Sequence, residues 1–340
     1  MNQPKYIFIV GSSRSGTTMI SRVLNQHPLV HTFKELHFFS QIYASRKNDN
    51  ISLKKAIEIM NILLMRQEYG LFQNKNKNKF FKISNSIFSQ NKDYTYFDVF
   101  EKFIDYILLE NNKKIACLHT PNNLFYLQDI LSVFKQVKII NMIRDNRAVL
   151  LSQKNKWRRK FLGAKSIPFF ESLRSKVNYH PFITSYSWNN SINRTNLFDG
   201  NSFFSLLKFE DFLSFPKEKT IELCTFLEIL FNEDMLKIAN IGSSTENDSD
   251  GQFIDESKKY KWKNGGLNNS EIYIAQFISG DFMKQFNYKK QKFSLPPLGV
   301  FLYIMTAPFK ILASLLLNLG RLTVFFDMIK FHKTKESKFF

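Results

Sequence analysis

The sequence predicts an α/β protein built on a parallel sheet, and three observations carry that prediction. Tyr6-Ile7-Phe8-Ile9-Val10 is a short, continuously apolar run, the pattern of a strand covered on both faces. The run ends at Gly11 and leads into a helix expected from residue 17 to about residue 26, where His27-Pro28 stops it. Further strand candidates at residues 114–118, 137–143 and 203–209 are separated by helical patterns, and strand, helix and strand in alternation imply crossover connections on a parallel sheet.

The helices are read from their apolar faces. Phe100, Phe103, Ile104, Ile107 and Leu108 fall on one side of a helix, and Pro216 opens another that carries Ile221, Cys224 and Leu227. Residues 243–251 are polar and acidic and read as a loop, as does the alternation of Asn and Lys over residues 74–79. No internal repeat is visible. From Pro296 the character changes: residues 298–309 and 311–320 are nearly all apolar, broken chiefly by Lys310, and residues 321–331 then alternate charge with Phe. The expected organisation is one domain over residues 1–290 and a C-terminal helical appendage over residues 291–340.

Composition narrows the function classes. With 44% hydrophobic residues and 37 Phe among 340 residues, the chain has the apolar mass for a large core and is not a disordered tail. Forty-eight Lys and Arg against 29 Asp and Glu give a formal net charge of +19, which suits anionic partners such as nucleotides, acidic glycans, nucleic acid or anionic lipid without choosing among them. Cys117 and Cys224 each sit inside an apolar segment, so a disulfide framework is not expected and a reducing compartment fits. The first apolar run is six residues long and flows straight into a glycine loop, which does not read as a secretory signal; a cytoplasmic location is the expectation.

Chemistry concentrates at strand ends. Ser12, Ser13, Arg14, Ser15, Gly16, Thr17 and Thr18 follow Gly11 between the first strand and the first helix, where backbone N–H groups and the helix dipole favour bound phosphate. The spacing is that of G-x-x-x-x-G-K-[ST], giving a P-loop-like fold, but Thr17 stands where the lysine that serves the β- and γ-phosphates belongs. Arg14 supplies a cation inside the loop instead, one that can fork onto two oxygens. A second junction, Arg144-Asp145-Asn146-Arg147-Ala148-Val149-Leu150-Leu151-Ser152, follows the strand at residues 137–143.

These two segments, with Asn25-Gln26-His27-Pro28 after the first, resemble the 5′-phosphosulfate loop and the 3′-phosphate motif of sulfotransferases that use 3′-phosphoadenosine 5′-phosphosulfate (PAPS), in the variant shared by tyrosylprotein and bacterial members. The resemblance implies that residues 12–18 hold the phosphosulfate, and that Arg144 and Ser152 converge on the ribose 3′-phosphate, a group ATP lacks. Asn146 stands where the family usually has Pro. Phe33-Lys34-Glu35-Leu36-His37-Phe38-Phe39 resembles the K-E-x-x-F-F segment of heparan-type members, which implies Glu35 as the base that takes the acceptor proton, with Lys34 or Arg14 balancing charge on the leaving phosphate.

His119, in Leu118-His119-Thr120-Pro121, replaces the lysine of the K-T-P found in many relatives and fits a base, an acid or a phosphate ligand, or else a plain polar core residue. Leu207-Lys208-Phe209-Glu210-Asp211-Phe212 is similar to the family's Y-E-D-L strand end. Lys258 and Lys259, in a basic loop with Trp262, are similar to the segment that closes over the nucleotide, with a solvated basic loop as the plainer reading. The resemblance extends over about residues 1–290.

The histidines have no metal-ligand spacing, so no metal is expected; the partners the resemblance implies are PAPS, its product PAP and an acceptor hydroxyl on a glycan, lipid-linked glycan, protein or small alcohol, and nucleic acid is not expected among them. Variable segments at 41–94 and 158–200 are expected to wall the acceptor. Two other classes stay open from sequence alone. One is a P-loop kinase or NTPase with a degenerate loop. The other is a non-enzymatic basic protein that binds anionic membranes through residues 154–160 and the C-terminal segment. For that segment, two amphipathic helices packed on the domain or lying peripherally on the inner membrane fit better than a span, because Pro308 and Lys310 fall mid-way.

Overall fold

A computed structural model of the chain describes residues 3–44, 50–72, 79–89, 92–162, 167–238 and 256–321. The N-terminal half contains β1 (Tyr6–Gly11), α1 (Thr17–Asn25), β2 (Val30–Phe33), β3 (Asn50–Ile51), α2 (Leu53–Tyr69), α3 (Phe81–Ser86), β4 (Tyr94–Thr95), α4 (Tyr96–Glu110), β5 (Ile115–Leu118), α5 (Leu127–Val133) and β6 (Val137–Ile143). Then follow α6 (Asn146–Lys154), α7 (Phe169–Val177), α8 (Pro181–Asn196), β7 (Phe204–Lys208), α9 (Phe209–Ser214), α10 (Pro216–Leu227), α11 (Asn269–Ile278), α12 (Gly280–Gln285) and α13 (Gly299–Leu317). The loop expected at 243–251, most of that at 74–79, and residues 322–340 lie outside the described residues.

Five strands form one parallel sheet in the order β2-β5-β1-β6-β7, while β3 and β4 make a separate antiparallel pair. The central strand β1 is buried throughout, with Tyr6 opposite Ala116 on one side and Val137 on the other. Its side chains alternate: Tyr6, Phe8 and Val10 join a core layer with α2 and α4, whereas Ile7 and Ile9 join the opposite layer with α1 and α10. This two-sided burial is why the first strand reads as an unbroken apolar run. Thr95 caps α4 in a reciprocal bond pair with Asp98, and the apolar face of Phe100, Phe103 and Ile104 packs inward as predicted.

Four differences from the sequence reading stand out. The edge strand β2 was not anticipated: it is four residues long, carries His31 and Thr32, and pairs only with β5. On α10 the buried residues are Thr220, Leu223, Cys224 and Leu227, while Ile221 is 41% exposed. Segment 41–94 is not merely an insert, because α2 buries Met60, Leu63 and Leu64 in the main core. Finally, the C-terminal apolar stretch is one continuous helix, α13, with Pro308 inside it, and none of its residues is buried.

Candidate active site

All five parallel strands end on the same edge of the sheet, and each delivers a polar group there. In spatial order these are Glu35 beyond β2, His119 after β5, the glycine loop after β1, Arg144 after β6, and Glu210 after β7.

The glycine loop is shaped by two close approaches. At Gly11, with φ of 138°, a Cβ would lie 2.3 Å from the Met142 carbonyl oxygen of β6. At Gly16, with φ of 101°, it would lie 2.3 Å from the Phe209 ring. The loop closes through Ser15 N–H donating to the Ser12 carbonyl at 3.2 Å, and α1 starts as Met19 N–H donates to Gly16. Ser12, Ser15 and Thr17 are buried, and the Ser15 hydroxyl is a buried donor with no partner of its own. Ser13 and Thr18 are half-buried, and Ser12 and Ser13 line a cavity that runs outward past Lys156 to α7 and α8. Arg14 takes a left-handed conformation, φ 75°.

Arg14 joins the two motifs. Its Nε donates to the Ser152 hydroxyl at 2.8 Å, and its carbonyl accepts from Arg144 Nη1 at 3.2 Å. Arg14, Arg144 and Ser152 therefore lie on one face at one place, though 130 or more residues separate the first from the others in sequence. Desolvation, then the charges of Arg159 and Arg144, lower the Arg14 pKa to about 10, which still leaves it cationic at neutral pH. Arg144 is held from several sides: Nη2 donates to the Lys258 carbonyl at 3.3 Å, the guanidinium stacks 4.1 Å from the Phe209 ring centre, and its own carbonyl accepts from Trp188 Nε1 at 2.9 Å. Its Nε is buried and without a partner.

The turn after Arg144 is fixed by buried polar groups. Glu210 accepts from Asp145 N–H at 3.0 Å and from the Tyr288 hydroxyl at 2.9 Å; its desolvation raises its pKa. Asp145 caps α6 and pairs with Arg147 at 2.7 Å, and Arg147 in turn lies 3.9 Å over the buried Trp262. Asn146 donates to the Ser279 hydroxyl at 2.7 Å, an anchor in place of the stiffness a proline would give.

On the other side of the loop, Glu35 approaches His37 Nε2 at 3.6 Å. Desolvation pulls the Glu35 pKa upward, but the approach of His37 and the nearby charges of His119 and Arg14 outweigh it and leave the carboxyl below its ordinary range. His119 is buried, its imidazole pKa is lowered by that burial against the pull of Glu35 and a backbone contact to Phe33, and its Nδ1 has no partner. The Glu35 segment is pinned by Phe38, stacked 4.0 Å from Phe100, and by Arg66 of α2, which donates to the Leu36 carbonyl.

Three sequence-predicted residues turn out differently. Lys34 points away, its ammonium donating to the Glu68 carbonyl at 2.6 Å on α2, so it cannot share the Arg14 role. Lys259 is tied to the Ser214 hydroxyl, while Lys258 contributes its backbone carbonyl to Arg144. The basic run at 154–160 also splits. Lys154 pairs with the buried Glu271 at 2.8 Å and Lys160 donates to the Ile167 carbonyl, whereas Lys156 and Arg159 act electrostatically on Arg14. Those two cations, together with His37, are what the sequence reading missed: they lie in a short 3₁₀ turn, residues 156–162, whose only signal was charge. Of segment 158–200, Glu171, Asn178, Tyr179 and Ile183 do line the cavity. No group of His, Cys, Asp and Glu suited to a metal ion occurs among the described residues.

A glycine loop between the first strand and first helix of a parallel sheet, with cationic groups gathered at the strand ends, defines a P-loop-like α/β protein. The model of the sulfotransferase family matches residues 4–233, and the chain belongs to that family. Among solved structures, the fold is similar to the sulfotransferase domain of the olefin synthase of Synechococcus PCC 7002, at 18% identity and TM-score 0.56, covering 85% of this chain and 97% of that one. It is likewise similar to the sulfotransferase domain of the curacin biosynthetic pathway, at 18% identity and TM-score 0.54, covering 85% and 99%. No curated protein matches the chain.

Proposed function

We propose that this sulfotransferase uses PAPS as donor and a hydroxyl group as acceptor, with Glu35 as the general base. The observation that carries the reading is the Arg14–Ser152 contact at 2.8 Å, with Arg144 bonded to the Arg14 carbonyl, because it gathers the residues for both phosphate ends of the donor at one place. The residues present suit that group. Gly11 and Gly16 let the loop close tightly against β6 and the Phe209 ring, and Ser15 Oγ and Arg144 Nε are buried donors without a protein partner.

In this reading residues 12–18 hold the 5′-phosphosulfate through backbone N–H groups and hydroxyls, and Arg144 with Ser152 takes the 3′-phosphate. PAPS supplies a sulfuryl group whose sulfur–oxygen bond to the bridging phosphate oxygen breaks as the acceptor oxygen bonds to sulfur. Glu35, ionised at neutral pH because its pKa is held low, accepts the acceptor proton. Arg14 stays charged and balances the negative charge left on the phosphate. His119, neutral for lack of solvation, is an electrostatic neighbour of Glu35.

The kinase alternative loses support here, since Thr17 is buried at the start of α1 where a P-loop lysine would reach the phosphates. Incubation with sulfur-labelled PAPS in the presence of a chelator, against a panel of phenols, sugars, alcohols and amphiphiles, tests the proposal. Label should move to a hydroxyl acceptor without metal. Transfer of the γ-phosphate of ATP with Mg²⁺, and no movement of the sulfur label, would overturn it.

A further inference from the structure

The helix α13 is the longest apolar element on the surface, long and apolar enough by composition to cross a membrane, yet it has two distinct faces. One face is polar and bound to the domain along its whole length. Tyr303 accepts from Asn268 at 3.3 Å, Lys310 donates to the Tyr179 carbonyl at 3.0 Å, Ser314 and Asn318 both donate to Asn178, at 2.7 and 3.0 Å, and Arg321 beyond the helix pairs with Glu171 at 2.6 Å. At its first residue, Gly299 passes so near Ser270 that a Cβ would stand 2.6 Å from the hydroxyl.

The opposite face is a ladder of Leu302, Met305, Phe309, Leu312, Leu316 and Leu319, each between 55% and 74% exposed. Their spacing of three and four residues is that of a helix stripe. In a paired coil the positions flanking such a stripe carry charges that choose the partner; here Phe301, Ile304, Ile311 and Leu315 widen it with more exposed apolar surface. The helix contains no acidic residue, and the segment leading to it exposes Lys289, Lys290 and Lys292. Crossing a bilayer would break every polar contact to the domain and leave Lys310 in hydrocarbon.

We infer that α13 is an in-plane docking helix for an anionic lipid surface, its apolar ladder sunk among acyl chains and its polar face still fastened to the domain. Docking in this way brings the reaction centre close to the lipid. The cavity that begins at Ser12 and Ser13 extends to Glu171, Asn178 and Arg321, so the turn just beyond the helix forms part of its rim. The inference stands on α13 and its surroundings and is independent of the donor and acceptor proposed above.

Vesicle sedimentation of the full chain tests it, using equimolar phosphatidylglycerol and phosphatidylcholine against phosphatidylcholine alone. Binding to the anionic vesicles should be about tenfold tighter than to the neutral ones and weaken with salt. Combined Leu302→Ser, Phe309→Ser and Leu316→Ser should lower it about 100-fold or more, while PAP affinity by calorimetry stays unchanged and verifies the fold. Combined Lys289→Glu, Lys290→Glu and Lys292→Glu should remove the preference for anionic vesicles. Absence of vesicle binding by the full chain overturns the inference. So does a concentration-dependent dimer, seen by light scattering and abolished by the serine variant, which assigns the face to a second copy; so does binding that resists both salt and alkaline extraction, which marks a span. Loss of PAP binding with vesicle binding retained counts against the donor reading alone.

Discussion

The two sides of the glycine loop are built to different standards. On the β6 and β7 side nearly every polar group is locked: Arg144 by two carbonyls and a ring, its carbonyl by Trp188, Asp145 by Arg147 and Glu210, Asn146 by Ser279. On the β2 and β5 side Glu35 has a side chain 44% exposed and meets His37 only at 3.6 Å. The locked half suits a ligand of fixed shape that every turnover shares, where a preorganised cation costs no reordering. The looser half suits a group that must meet an acceptor and exchange a proton with it.

This contrast makes the two halves separable by mutation, with the largest effect on the base side. Glu35→Gln should cut kcat by about 100-fold or more while PAP affinity is kept. The pH profile sharpens the point. A base whose pKa is depressed works above that pKa and is lost only as pH falls through it, so kcat/KM should hold from neutral pH down to about pH 5, given an ordinary carboxylate near 4.3. If His119 were the base, activity would be lost as pH fell through its own pKa, which burial holds below the ordinary imidazole value of about 6.5.

Gly11→Ala attacks what the halves share. A Cβ at 2.3 Å from the Met142 carbonyl, on a backbone at φ 138°, forces β1 and β6 apart. Stability should fall by at least about 2 kcal/mol, read as a lowered thermal midpoint, with binding and turnover lost together. A smaller change is expected from Lys156→Ala: Lys156 lines the cavity, and desolvation with the charges of Arg14 and Arg159 lowers its pKa, so an arriving anion gains from it. Removal should weaken PAPS binding by about five- to tenfold, measured by titration, with the pH profile unmoved.

How much of this was legible in sequence also follows the contrast. The locked half announced itself, because a buried β1 must be continuously apolar, Gly11 and Gly16 stand where side chains cannot fit, and Arg144 and Ser152 are tied to one helix by spacing. Glu35 was singled out by the resemblance of its segment to K-E-x-x-F-F, and Phe38 and Phe39 prove to be core residues that hold that segment down. What failed were features set by long-range packing. Lys34 is diverted by the end of α2, β2 forms only because β5 offers it an edge, and Lys156 and Arg159 reach the site from a turn that in sequence is merely basic. The C-terminal helix was legible as apolar but not as continuous, since Pro308 predicted a break that the exposed helix absorbs.

Calorimetric titration of PAP against ADP, in the native chain and in Arg144→Ala, tests the central claim most directly, because only PAP carries the 3′-phosphate that the proposal assigns to Arg144 and Ser152. PAP should bind the native chain about 100-fold tighter than ADP with or without Mg²⁺, and Arg144→Ala should cost about 2 to 4 kcal/mol for PAP and little for ADP. Equal affinities for the two nucleotides, or ADP binding that requires Mg²⁺ and survives Arg144→Ala, would contradict it.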